Sequence, residues 1–413
     1  MKTIEIKVFS AFAGVDTQYM AFERLERLLN TLLGGQIHVK IVLVGWCEID
    51  QYAIQCHNAL FPQYRNCHYN DITKVLWGQV PKFDVLFYSS CCQDITRNGN
   101  QAGLGKGSGT RSSLIWYVLN ALMERKPAVA ILENVPALLE KTFCNEFCKW
   151  QEAVDEVGYR SSWSTLLASD FRIPQNRNRA FMVSVRKDVD HNIYFPAPLS
   201  YDNMYEVESV LEDVVDNRYY YAEEDAVRLI NALSGRKTEV VNKIKIGHLG
   251  KCLKRIVTPT CKCEALRVAP TLLANSNYEN TNYKNFISTS HYPAPAVLEV
   301  WETTTEVNVP YSDVITTTKG FGKGVVNASK DLVMDALQNL SPKSYFRLRR
   351  LTPRECFRLM DVDEASINRL ISSGVPEDQL YKMAGNAIVV DVLLHLFKSI
   401  FTKDFVLNMN RKR

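Results

Sequence analysis

The sequence predicts an α/β fold: a mostly parallel, Rossmann-like sheet with helices on its faces, a second, smaller domain, and a C-terminal helix that returns to the first. Three observations predict it. Up to about residue 200, short apolar runs bounded by polar clusters alternate with stretches of helical period, the pattern of βαβ units. Reactive and polar residues recur where the apolar runs end, the edge at which open α/β sheets bind ligands. After Arg186 the pattern gives way to weak strand signals, the cluster Tyr219-Tyr220-Tyr221 and irregular Asn/Thr/Ser segments, and helical periodicity resumes at Tyr345. The expected divisions are 1–197, 198–344 and 345–413.

Taken in order, Ile4 to Phe12 reads as a strand and Thr17 to Leu33 as a helix with Tyr19, Phe22, Leu25 and Leu29 on one side. Val39 to Trp46 reads as a buried strand ending at Cys47-Glu48-Ile49-Asp50, and Val85 to Ser89 as one ending at Ser90-Cys91-Cys92-Gln93. Ala128 to Leu132 is a further strand, followed by Glu133-Asn134-Val135. Asn98 to Ser113 is rich in Gly, Ser, Asn and Lys without apolar period, and its place after Cys92 suggests a mobile loop beside a site rather than a plain surface connection. Thr352-Pro353-Arg354-Glu355 opens a helix as a capping box, with Thr as N-cap, Pro first and Glu three positions on. The apolar stretch Ile388 to Phe401 has to be buried, which implies packing against the first domain.

With 46% hydrophobic, 10% aromatic and 23% charged residues, the composition is that of an ordinary globular chain rather than a disordered one. A net charge of +4 permits a polyanionic partner without requiring one; the charge signal is local, in Arg347-Leu348-Arg349-Arg350 and at Asn408 to Arg413. Neither a signal peptide nor a membrane-length apolar run is recognisable, so the 11 cysteines read as reduced thiols in a cytoplasmic protein. His248, Cys252, Cys261 and Cys263 lack the tight pairing of a zinc site, and no metal is expected.

Read singly, the candidate residues are ordinary. Cys92 is one thiol among many, Glu48 and Asp71 suit strand-end caps, and Asn386 suits a turn before the last helix. Their order is what carries information. Phe12-Ala13-Gly14, Glu48, Asp71-Ile72, Cys91-Cys92-Gln93, Gly109-Thr110-Arg111-Ser112, Glu133-Asn134-Val135, Gln175-Asn176-Arg177-Asn178-Arg179, Arg349-Arg350-Leu351-Thr352 with Glu355, and Gly385-Asn386-Ala387 follow one another with compatible gaps. That series resembles the DNA cytosine-5 methyltransferases of bacterial or phage type.

The resemblance implies a class I methyltransferase sheet with a target-recognition domain, S-adenosyl-L-methionine as cofactor and double-stranded DNA as partner. It implies cofactor contacts from Phe12, Gly14, Glu48, Asp71, Ile72 and Asn386, catalytic roles for Cys92, Glu133, Arg177 and Arg179, and substrate contacts from Gln93, Arg111 and Gln175. A thiolate adding to cytosine carbon 6 makes carbon 5 nucleophilic, and a carboxyl at the pyrimidine edge favours the addition. The base has to be rotated out of the duplex first, with Gln93, Lys106 or Arg111 filling or bracing the gap under a closing loop. Base readout falls to the middle domain, where Thr271-Leu272 resembles a pair common in recognition domains. A monomer is expected; a cognate restriction endonuclease acting separately is a partner the resemblance leaves open.

The chain departs from the family pattern at three places. Cys91 stands where the family has proline, so either neighbouring thiol is a chemical candidate, with Cys92 favoured because it directly precedes Gln93-Asp94. Asp16 and Thr17 stand where glycines are common, and Asp is among the residues that tolerate positive φ. Met383 stands where Gln is frequent. A tRNA-directed enzyme on the same scaffold is the first rival, and the Cys-Phe-Thr tripeptide of that group does not occur here. The second rival, a catalytically silent DNA-binding subunit, would lack Cys92, Glu133 or the arginine pair, all of which are present.

Overall fold

A computed structural model describes residues 2–35, 37–92, 94–95, 102–199, 207–222, 252–257, 269–270, 296–302 and 344–409. The chain forms two compact units: Met1–Ile173, Asn178–Asn203 and Met360–Arg413 make the first, and Pro174–Arg177 with Met204–Leu359 the second.

The first unit is built on a seven-stranded sheet. Its strands are β1 (Lys2–Ala11), β2 (Ile37–Cys47), β3 (His68–Tyr69), β4 (Val85–Tyr88), β5 (Val129–Asn134), β6 (Tyr159–Leu167) and β8 (Asn178–Arg186), in the order β3-β2-β1-β4-β5-β8-β6. The first five run parallel, whereas β8 runs antiparallel to both β5 and β6. The α/β expectation holds, with one reversed strand among parallel ones. Strands buried on both faces lose the alternation of half-exposed ones, and every residue of β4 and β5 is buried. Gly45 is required where β2 passes β1, because a Cβ there would lie 2.6 Å from the Phe9 ring and 3.0 Å from that of Tyr69.

Helix α1 (Thr17–Leu32) covers one face, with Tyr19, Phe22, Leu25 and Leu29 buried as their spacing predicts. Helices α2 (Gln51–Leu60), α3 (Val118–Arg125) and α4 (Cys144–Glu156) follow β2, the loop after β4 and β5. The C-terminal stretch adds α6 (Glu364–Ile371), α7 (Glu377–Asn386), α8 (Val390–Ile400) and α9 (Lys403–Met409). Phe397 of α8 stacks on Phe22 of α1 with ring centroids 4.1 Å apart and meets Phe87 of β4 edge-on at 6.1 Å. Arg24 of α1 pairs with the Asp361 carboxylate and donates to its carbonyl at 2.6 Å. Residues 377–400 are long and apolar enough to cross a membrane by length and composition, yet the chain leaves the helix at 387–389 and 67% of the most apolar window is buried within the protein.

In the second unit β7 (Gln175–Asn176) pairs with β10 (Ala269–Pro270), and β9 (Cys252–Val257), β11 (Ala296–Glu302) and β12 (Ser344–Arg350) form an antiparallel sheet. Helix α5 (Pro353–Leu359) follows β12 and carries the expected capping box: the Thr352 amide donates to Glu355 at 2.8 Å and the Glu355 amide to Thr352 Oγ1 at 3.2 Å. Glu355 also receives both guanidinium nitrogens of Arg349 at 2.8 Å, with both side chains fully buried. Part of the basic run in β12 is therefore internal structure rather than a cationic surface.

Truncating Phe397 to Ala should cost about 3–5 kcal/mol, because it removes the ring that seats α8 on α1 and β4. Urea denaturation followed by far-UV circular dichroism would measure it, and a loss under about 1 kcal/mol would deny the contact that weight.

Candidate functional site

Five parallel strands deliver their carboxyl ends to one edge of the first unit, and most of the residues singled out in the sequence sit there. On the β1–β2–β3 side, the turn after β1 places Phe12 at φ 57 and Gly14 at φ 57, both left-handed. Phe12 is a strained position for a residue with a side chain; its ring packs on the core beneath the edge. Glu48, directly after β2, reaches back to this turn: its Oε2 accepts from the Gly14 amide at 2.8 Å, and its Oε1 from the Ile49 and Asp50 amides at 2.8 and 2.9 Å. A carboxylate has about four acceptor sites, so one remains for a further donor. After β3, Asp71 caps a short 3-10 turn by accepting from the Thr73 amide at 3.0 Å and hydroxyl at 2.8 Å, and these bonds hold its carboxyl below the usual range. Ile72 beside it is buried.

The segment holding Asn386 is tied to the same edge. Asn386 is the exposed last residue of α7. Two bonds fix its surroundings: the Ile388 amide donates to Thr17 Oγ1 at 3.0 Å, and Lys382 of α7 donates to Asp50 at 2.6 Å. Asp50 is also the N-cap of α2. Burial pushes its carboxyl up, but the bond and charge of Lys382 together with the cap amides outweigh this and hold it below the ordinary range.

On the β4–β5–β8 side the central group is Glu133, 5% exposed near the end of β5. Ser89, one residue beyond β4, donates to its Oε2 at 2.5 Å, and Arg179 Nε, near the start of β8, lies 3.0 Å from its Oε1. Asn134 next to it donates to the carbonyl and hydroxyl of Ser90 at 3.2 and 3.1 Å. Cys91 and Cys92 follow Ser90 as partly buried thiols, with Cys92 packed against the central core. Among the core thiols, burial pushes Cys56 up to about 12 and Cys47 higher still, which favours the protonated form of both.

The described part of the segment after Cys92 is anchored rather than loose. Asp94 is buried, and its carbonyl and carboxylate accept from the amides of Gly103 and Ser112, both at 3.0 Å. The Ser112 hydroxyl donates to the Cys91 carbonyl at 2.6 Å, and the Thr110 hydroxyl to the Gly103 carbonyl at 2.9 Å. Leu104 is buried, with its amide on Glu146 at 2.6 Å and its carbonyl on the Trp116 indole at 2.8 Å.

The first unit thus brings together Phe12, Gly14, Glu48, Asp71, Ile72, Cys92, Glu133, Arg179 and Asn386, with Arg111 exposed at the start of a 3-10 turn. Gln175 and Arg177 belong to the second unit; both are buried, and the Gln175 amide nitrogen donates to the Leu359 carbonyl at 2.8 Å. Gln93, residues 98–101 of the Gly-rich segment, Thr271-Leu272, His248, Cys261 and Cys263 lie outside the described residues. Sequence reasoning missed Ser89 and His57, and it used Asp94 only as a neighbour that marks Cys92, not as an anchor of the following segment. Ser89 was detectable only as a polar residue at the end of an apolar run; nothing marked His57.

The sequence pattern of the C-5 cytosine-specific DNA methylases matches residues 6–402. The chain is 26% identical, over 447 aligned positions, to the orphan methyltransferase M.SPRI of Bacillus phage SPR, spanning 96% of this chain and 97% of that protein. It is 28% identical over 337 positions to the type II methyltransferase M2.ScrFI of Lactococcus lactis subsp. cremoris, spanning 81% and 71%. In fold it is similar to the crystal structure of S. pombe Dnmt2 methyltransferase, with a TM-score of 0.57 at 17% identity over 98% and 99% of the two chains.

The Asp50–Lys382 pair gives a pH test. A carboxyl held lower in the folded than in the unfolded chain adds stability above about pH 4, and that stability is lost as pH falls through the folded value. Lys382→Met should flatten the acid-side fall of the thermal midpoint between about pH 5 and pH 2; an unchanged profile would contradict the assignment.

Proposed function

The chain belongs to the C-5 cytosine-specific DNA methylases, and on that premise we propose that it transfers a methyl group from S-adenosyl-L-methionine to carbon 5 of cytosine in a specific double-stranded DNA sequence. The observation that carries the reading is the juxtaposition at the ends of β4 and β5. Cys92 follows β4, and the Ser89–Glu133–Arg179 cluster lies just before it on the same edge.

In the proposed reaction the cytosine is rotated out of the duplex, because a stacked base hides carbon 6 from any thiol. The Cys92 thiolate adds to carbon 6. Glu133, oriented by Ser89 and Arg179, hydrogen-bonds the ring nitrogen and exocyclic amine and supplies the proton that the addition calls for. Carbon 5, now nucleophilic, would take the methyl group; its proton then passes to water, the ring nitrogen returns its proton to Glu133, and expulsion of the Cys92 thiolate restores the aromatic ring. Arg177 is assigned a catalytic role beside Arg179, and Gln93, Arg111 and Gln175 are assigned to the substrate.

The residues at the β1–β3 ends fit the cofactor by their donor and acceptor sets. Glu48 has acceptor capacity left for a ribose hydroxyl, Asp71 with buried Ile72 suits an adenine edge, and Phe12 offers a ring face. The cofactor, when bound, supplies the electrophilic methyl group. The second unit is assigned target recognition. A cytoplasmic monomer is proposed, with any cognate endonuclease a separate protein.

Bisulfite sequencing of DNA from a methylation-free host expressing the chain should show cytosines protected in one sequence context; uniform conversion would sink the proposal. Cys92→Ala should abolish methyl transfer while retaining DNA binding, and undiminished activity would move the nucleophile to Cys91. Glu133→Gln should slow the chemical step by roughly 10²–10⁴-fold. Replacing residues 200–340 with the corresponding segment of a related enzyme should change the protected sequence and leave the chemistry intact.

A further inference from the structure

The turn between β1 and α1 is held from inside by side chains that do not reach its outer surface. Asp16 stands at its end with φ 62, a left-handed conformation that suits glycine best, and is fully buried. Its Oδ1 accepts from the Ser10 hydroxyl at 2.9 Å and the Tyr19 amide at 3.3 Å. Its Oδ2 lies 3.2 Å from His57 Nε2 of α2. His57 is itself fully buried, stacked on Trp46 with ring centroids 3.6 Å apart, and its Nδ1 has no partner. The tautomer with its proton on Nε2 donates to Asp16 and leaves only a lone pair unsatisfied rather than an N–H. Gln18 completes the set, donating to Ser10 Oγ at 2.9 Å and to the Ala13 carbonyl at 3.1 Å. The Ala13 carbonyl also receives the Asp16 amide at 2.8 Å, and the Ala13 amide donates to the Cys47 carbonyl at 2.9 Å.

We propose that Asp16, with His57, Ser10 and Gln18, is a positioning device that fixes the 12–16 turn in its binding form, so that affinity for the S-adenosyl group depends on a buried polar network beneath the turn. Glycine would adopt the backbone of residue 16 without strain but would leave the Ser10 hydroxyl and His57 Nε2 without their shared acceptor, and with Ser10 released the bond it takes from Gln18 would lose its anchor. The network does for the turn what backbone permissiveness cannot: it selects one conformation in advance of binding. This rests on the reading that Phe12 and Gly14 take the cofactor.

The test uses the full chain and S-adenosylhomocysteine as the probe, with its Kd measured by calorimetry and the exchange of the Ala13 and Gly14 amides followed in the ligand-free protein. Asp16→Gly should raise Kd about tenfold or more and speed the exchange of both amides, with Asp16→Asn falling between it and the wild type. Asp16→Gly binding as tightly as the wild type would overturn the proposal, because the position would then demand only a left-handed backbone. Should Asp16→Gly fail to fold, Gln18→Ala decides: a raised Kd supports the network and an unchanged one overturns it. Should the wild type itself not bind the probe, the cofactor reading fails, and amide exchange alone decides: faster exchange in Asp16→Gly or Gln18→Ala supports the positioning role, and unchanged exchange overturns it.

Discussion

The carboxylate of Glu133, held between the Ser89 hydroxyl and the Arg179 guanidinium, is the interaction on which the reactive side of the site depends. A carboxylate so nearly excluded from water has to be hydrogen-bonded and paired to be tolerated, and each partner comes from a different strand. Ser89 follows β4, Glu133 lies near the end of β5, and Arg179 opens β8. Parallel neighbours bring their ends to one edge. Only an antiparallel strand can bring its beginning there, and the reversal of β8 is what allows a residue so early in that strand to reach Glu133. On the proposed reaction, the strand order is in this sense part of the chemistry.

The same edge divides its labour along the sheet. The β1–β3 ends present acceptors and an aromatic face around the turn that Glu48 clasps, whereas the β4–β5 ends present the thiols and the carboxylate. The returning C-terminal helices connect the two ends of the chain, with Thr17 taking the Ile388 amide and Asp50 taking Lys382. The two positions that depart from glycine, Asp16 and Thr17, both make side-chain bonds that glycine lacks, so the departures are substitutions of one means of shaping a turn by another.

Much of this was legible in the sequence because it rests on local periodicity and on order along the chain. The apolar runs of β4 and β5, the buried face of α1 and the capping box at Thr352 are short-range patterns that the fold repeats. What was not legible depends on pairing across strands. Arg349 read as part of a basic run, yet its charge is consumed by Glu355 inside the second unit. The Gly-rich segment after Cys92 read as mobile, yet its described part is stapled by Asp94, Glu146 and Trp116, the last two lying 42 and 12 positions from Leu104, which they hold. His57 carried no signal at all, since a buried histidine on an amphipathic helix looks like any other until Asp16 is seen to face it.

The central claim is that Cys92, rather than the adjacent Cys91, attacks the pyrimidine. Duplex DNA carrying 5-fluorocytosine in the methylated context traps the attacking residue, because the fluorine at carbon 5 cannot leave as a proton does. Digesting the trapped complex formed in the presence of the methyl donor, and locating the pyrimidine by tandem mass spectrometry, measures the attachment directly. The account predicts a bond to the sulfur of Cys92; attachment to Cys91, or no adduct from an enzyme that methylates the unfluorinated duplex, would contradict it.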